Sequence, residues 1–173
     1  MVRGSLLEEL MKQEDLDKMY IEMAEVVGQR SHATRKKVGC LVVKDTHIIA
    51  EGMNGTPKGF DNCCEYKDHV GHTYTKGEVL HAEENALAKL ARSTNSSIGA
   101  DLYVTLAPCF QCAKMIIACG IKRVVYSEKY LGNQGTPLLR QAGIEIVNIG
   151  SDEELMKSYE EGNTSYYGVL PVL

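Results

Sequence analysis

His81-Ala82-Glu83 brings an imidazole and a carboxylate together, and Pro108-Cys109-Phe110-Gln111-Cys112 brings two thiols together further along the chain. One imidazole and two thiolates are donors that zinc prefers. Three protein ligands leave a fourth tetrahedral position for water, which separates a catalytic site from a closed structural one. Zinc held this way lowers the pKa of its water towards ~7 and supplies hydroxide at neutral pH. Glu83 is the candidate catalytic residue. Standing beside that water it can take up and return protons, a role it would lose as a fourth ligand. Cys109 and Cys112 are three apart, so on a helix they share one face. Thiolates in a first helical turn also gain from its partial positive charge. The competing reading of a Cys-x-x-Cys with a distant His is a zinc knuckle that only staples the fold. Glu83 and Pro108 set this pattern apart from it.

These side chains need elements that converge on one point. Residues 15–29 carry apolar positions at helical spacing, with acids early in the segment. Apolar runs at 38–43 and 47–52, linked through Lys44-Asp45-Thr46, predict an antiparallel hairpin. The stretch 54–77 is rich in Gly and polar residues and reads as a long functional loop. A helix over 80–91 opens with the His81 motif, and a strand follows at 101–106. A second helix runs over 109–119, with Pro108 where its missing N–H costs little. A strand at 121–126, a short helix at 136–142 ended by Gly143, and a strand at 144–149 complete the core. Beyond it, 152–160 reads as a helix, and 166–170 reads as a segment that docks on the core or a neighbouring subunit. Strand-helix-strand units of this kind pair in parallel with helices on both faces. The prediction is one domain over 1–173, with a core at about 15–150 and a C-terminal extension at 151–173. Its fold class is α/β, a three-layer α/β/α sandwich around a five-stranded mixed sheet.

At 44% apolar and 24% charged residues the chain is globular in composition. No apolar run approaches the ~20 residues needed to span a bilayer, and Met1–Glu14 lacks the apolar centre of a secretory signal. The six cysteines are therefore expected to stay reduced, which favours metal binding over disulfides. The expected location is the cytoplasm. A formal charge of −4 argues against a protein that coats nucleic acid. Arg30, Arg35, Lys36 and Lys37 cluster locally. They read either as a solvated basic loop or as donors to a 5′-phosphate.

With these motifs in place the chain resembles the cytidine/deoxycytidylate deaminase superfamily. His81-Ala82-Glu83-Glu84-Asn85-Ala86 is similar to its H-A-E-x-N-A. Tyr103 to Cys109 followed by Cys112-Ala113-Lys114 is similar to its Y-V-T-L-x-P-C-x-x-C-A-K. Gly52-Met53-Asn54-Gly55-Thr56-Pro57-Lys58-Gly59 resembles the G-Y-N-G-x-P-x-G loop of dCMP deaminases, and Asn62-Cys63-Cys64 follows it as in phage-type members. The resemblance implies a catalytic Zn2+ on His81, Cys109 and Cys112, with Glu83 as proton shuttle. It implies that the Ala82 N–H meets the pyrimidine O2, that the Ala107 carbonyl accepts from the amino group, and that Asn54 and Tyr130 lie against the nucleotide. The implied reaction is hydrolytic deamination of dCMP to dUMP, which feeds thymidylate synthesis.

The resemblance further implies a homo-hexamer activated by dCTP with Mg2+ and inhibited by dTTP. Its effector site would draw on Gly55, Gly59 and Asn62. Some phage-type members carry a second, structural Zn2+; here Cys63 and His72, with Glu78 and His32, are its candidate ligands. The chain departs from the pattern at Met53, which replaces a Tyr, at Phe110-Gln111, and at Ser31-His32-Ala33, where members with the second zinc have Cys. Phe110 reads either as a base-stacking residue or as packing on the pocket rim. Turnover of dCTP as well as dCMP stays open, as do other superfamily substrates. So does a silent deaminase-fold sensor of dCTP or dTTP, although an intact Glu83 argues against it.

Overall fold

Both faces of the strand Gly39–Lys44 (β1) are apolar. Cys40 and Val42 point to one side and Leu41 and Val43 to the other, and all four are buried. Such a strand needs cover on both faces. The computed structural model, which describes residues 2–130 and 134–150, shows that cover. Helix α1 (Val2–Gly28) sets Tyr20, Ile21 and Ala24 against Leu41, Val43, Tyr103 and Val125. On the opposite face lie α2 (Ala82–Leu90), α3 (Phe110–Ala118) and α4 (Gly135–Gln141). They bury Ala86, Leu87, Ala113, Ile116 and Leu139 against Cys40, Val42, Leu102, Val104 and Val124.

The remaining strands of the main sheet are β2 (His47–Met53), β5 (Asp101–Leu106), β6 (Arg123–Glu128) and β7 (Glu145–Asn148), in the order β2-β1-β5-β6-β7. β1 runs antiparallel to β2 and to β5, whereas β5-β6 and β6-β7 are parallel. Parallel neighbours need crossover connections, and α3 and α4 supply them. This is the mixed five-stranded three-layer sandwich expected from the sequence. The β1-β2 link is the two-residue turn Asp45-Thr46, both at positive φ (49° and 63°), as a primed hairpin turn requires.

Three details differ from the expectation. α1 starts well ahead of residue 15. The 54–77 stretch is not wholly loop: β3 (Glu65–Lys67) and β4 (Thr73–Thr75) form a small antiparallel hairpin with Tyr66 stacked on Tyr74. Strands of three residues are too short to display a period-two pattern, which is why the sequence hides them. β6 begins after residue 121 and runs on to Glu128, level with Leu106 of β5. The extension reading over 152–160 and 166–170 lies outside the described residues.

The topology places the start of β1, the ends of β2, β5 and β6, and the first turns of α2 and α3 at one end of the sheet. Gly52 lets α2 come close there. A Cβ at Gly52 would stand 2.1 Å from the Ala82 carbonyl oxygen, so any side chain would push away the turn that carries His81 and Glu83.

Candidate active site

His81 is the N-cap of α2 and Cys109 the N-cap of α3, with Cys112 one turn further on. The His81 Nδ1 lies 3.5 Å from the Cys109 Sγ and 3.3 Å from the Cys112 Sγ. A tetrahedral zinc with Zn–N and Zn–S bonds of about 2.0 and 2.3 Å spaces such donors by about 3.5 Å. The three donor atoms therefore fit this ion. Among the described residues, no other group of three or more potential ligands converges in this way.

Local structure explains the convergence. The Cys109 Sγ accepts from the Cys112 backbone N–H at 3.5 Å, so the thiol caps its own helix and stays beside Cys112. Hydrogen bonds from Cys112 and with His81 outweigh burial and hold the Cys109 thiol down to about 4. Its hydrogen bond to Cys109 raises His81 to about 9. The hydrogen bond with Cys109 and burial push Cys112 well up. A thiolate, an imidazolium and a shared thiol proton make a donor set that releases protons when a cation binds.

Glu83 is 4% exposed. Burial pushes its carboxyl up to about 7, with hydrogen bonds from backbone N–H and from the Cys112 thiol acting against it. The carboxylate thus touches one metal-binding thiol without belonging to the donor set. A group that exchanges protons with a metal-bound water would have to stand here.

Glu84, the next residue, braces the same helical turn. Its carboxylate accepts from the His81 backbone N–H at 2.7 Å, the returning half of a capping box. A His in the cap position, where Ser or Thr is usual, obscured the signal. Asn85 adds a second tether, donating from Nδ2 to the Met53 carbonyl at 2.7 Å. Glu84→Ala is expected to cost about 1 kcal/mol of stability and to weaken zinc binding about tenfold, read by urea unfolding and zinc titration. Unchanged zinc affinity would leave Glu84 a helix cap and nothing more.

Residues 14–128 match the family model for the cytidine and deoxycytidylate deaminase zinc-binding region. The chain belongs to this family. It is 34% identical over 168 positions to the deoxycytidylate deaminase of Enterobacteria phage T4, covering 75% of this chain and 87% of that protein. Identity to the deoxycytidylate deaminase of Schizosaccharomyces pombe is 36% over 138 residues, covering 75% of this chain. There the match spans 42% of the relative's length. The dCMP deaminase of cyanophage S-TIM5, crystallised with dCMP and dUMP, superposes with a TM-score of 0.73 at 43% identity. That match covers 78% of this chain and 97% of the cyanophage one.

Within this deaminase fold the other expected residues fall into two groups. Ala82, fully buried, is the first residue of α2, where a helix leaves its N–H without an intrahelical acceptor. Ala107 directly precedes Pro108-Cys109, and its N–H donates to the Glu128 carbonyl at 2.9 Å. Tyr130 is half-buried against the core beneath α2 and α3. Asn54 lies at the same end of the sheet. Its Nδ2 donates to the Lys36 carbonyl at 2.8 Å and its Oδ1 accepts from the Val38 N–H at 2.9 Å. The side chain thus clamps the basic loop to the site.

Gly55 exchanges two backbone hydrogen bonds with Leu80, the residue before His81. Gly59, at φ 100°, and Asn62 are exposed further along the same loop. Cys63, His72, Glu78 and His32 are all exposed and form no converging donor group. His72 pairs with Asp68 at 3.4 Å and the Cys63 thiol donates to the Glu65 carbonyl at 3.2 Å. Among the described residues the structure therefore does not bring together the candidate ligands of the second zinc that the resemblance left open. Cys63 and Cys64 part company instead, because Cys64 is buried with Ala33 and Val79 to pin the loop. Phe110 is 43% exposed at the start of α3, with the Lys114 ammonium 5.7 Å from its ring centre.

Proposed function

We propose that the chain hydrolyses dCMP to dUMP and ammonia, with zinc on His81, Cys109 and Cys112. The observation that carries this reading is the buried Glu83 carboxyl beside a His-Cys-Cys donor set that fits tetrahedral zinc. The relative crystallised with dCMP and dUMP supports the choice of substrate. When bound, zinc supplies an acidified water. Glu83 accepts a proton from that water as oxygen adds at C4 of the ring. It delivers that proton to the ring nitrogen, then takes the second from the hydroxyl formed at C4 and delivers it to the departing amine. The Ala82 N–H and the Ala107 carbonyl, on either side of the donors, orient the pyrimidine through its O2 and amino group. One water is consumed and one ammonia released.

The proposal extends to a homo-hexamer activated by dCTP with Mg2+ and inhibited by dTTP, on the strength of the Gly52–Gly59 loop and its resemblance. Ammonia release from dCMP, deoxycytidine, dCTP and CMP, each with and without dCTP–Mg2+ or dTTP, tests it. Turnover of dCMP, raised by dCTP and lowered by dTTP, is expected. Turnover of dCTP as well would make the enzyme bifunctional. Zinc-loaded protein that deaminates none of the four would overturn the assignment. None of the described helices is long and apolar enough to cross a membrane.

A further inference from the structure

We propose that Lys36 and Glu128, which form an ion pair spanning the end of β5, select the 5′-phosphate of the nucleotide. This rests on the deaminase reading above and adds specificity residues to it. The register places the pair at the site. The Gly39 N–H donates to Thr105 Oγ1 at 3.2 Å, so the residues before β1 sit where β5 ends and the Cys109 turn begins. Glu128 is the last residue of β6 and lies level with Leu106. Side chains alternate along a strand. Glu128 therefore shares the face of Val124 and Tyr126, which belong to the core under α2 and α3, and not that of Val125, which packs against α1. The order β1-β5-β6 means that the Lys36 Nζ crosses the end of β5 to reach the Glu128 carboxylate. The Ala107 N–H donates to the Glu128 carbonyl at 2.9 Å, so the turn that carries Cys109 leaves the sheet beside Glu128.

The chemistry follows from charge and access. The Lys36 and Glu128 side chains are 43% and 40% exposed, so a ligand can reach both. An exposed pair of this kind contributes little to stability, so separating it costs little. A phosphate dianion offers Lys36 more negative charge than one carboxylate does. Asn54 fixes the Lys36 backbone through its carbonyl, and Arg35 brings a second cation to the same loop, its Nη1 donating to Thr75 Oγ1 at 3.1 Å. Glu128 competes with the substrate for Lys36 and so sets how strongly the phosphate is favoured.

The test compares steady-state deamination of dCMP and deoxycytidine by the zinc-loaded wild type, Lys36→Met, Lys36→Arg and Glu128→Gln. Wild type should prefer dCMP. Lys36→Met should lower the dCMP-to-deoxycytidine ratio of kcat/KM about tenfold or more, and Lys36→Arg should keep most of that ratio. Glu128→Gln should lower KM for dCMP several-fold. Both positions are exposed, and thermal unfolding of the three variants should show wild-type stability. A wild type that favours dCMP while Lys36→Met keeps the preference overturns the pair alone, as does Glu128→Gln with an unchanged or higher KM. A wild type that deaminates neither substrate overturns the deaminase reading and the pair together.

Discussion

Glu83→Gln is expected to slow dCMP deamination by about 10²–10⁴-fold, with one zinc still bound per chain. Gln has the same shape and size, so it keeps the buried site filled. It cannot take a proton from water or return one to the ring. The His81, Cys109 and Cys112 donors do not include this side chain, so metal analysis of the variant should match wild type. Burial raises the pKa of Glu83 to about 7, where a carboxyl can both take up and release a proton near neutral pH. A variant with full zinc and a rate within about tenfold of wild type would show that protons travel by another route.

The second large effect concerns stability. Arg123→Met is expected to cost about 3–5 kcal/mol, or about 6–20 °C in Tm for a chain of this size. Asp17 is 1% exposed. Its carboxylate receives both Arg123 Nη atoms, at 2.8 and 2.6 Å, the Tyr103 hydroxyl at 2.9 Å and the Gln13 amide at 2.9 Å. Arg123 also donates from Nε to Glu145 at 2.9 Å. This network fastens α1 to β5, β6 and β7. Removing the guanidinium leaves a buried carboxylate without its counter-ion, which is costlier than removing both partners.

The same network gives a pH dependence. Burial acts to raise Asp17, but the hydrogen bonds from Arg123, Gln13 and Tyr103 outweigh it and leave the carboxyl below its ordinary value. A carboxyl lowered in the folded state contributes stability above its unfolded pKa of about 3.9. That stability is lost as pH falls through the lower folded value. Urea unfolding below about pH 4 should therefore show an acid loss that Asp17→Asn removes. An unchanged acid slope in that variant would assign the loss to other carboxyls.

The sequence by itself determined the layered fold and which side chains meet as the candidate donor set. His81, Glu83, Cys109 and Cys112 were legible because a catalytic metal centre needs particular atom types at short spacings, and each pair occupies one helical turn. The helices and the strands of the main sheet were legible from local apolar periodicity, which repeats within a few residues, whereas the three-residue β3 and β4 were not. Glu84 was half-legible, since its partner is the backbone three residues away, but the usual cap residue is missing. What escaped had no local signal. Asp17 reads as an acid early in a helix, and only packing against the sheet turns it into the buried partner of Arg123. Lys36 belonged to a visible basic cluster, but Glu128 carries no mark. Its place depends on the β1-β5-β6 order and on the alternation of side chains along β6. Asn54 was legible as a loop residue at the site, whereas its grip on the Lys36 and Val38 backbone was not. Such contacts join residues far apart in the chain. They form only when the sheet closes, because strand order and register, not spacing, decide which side chains meet.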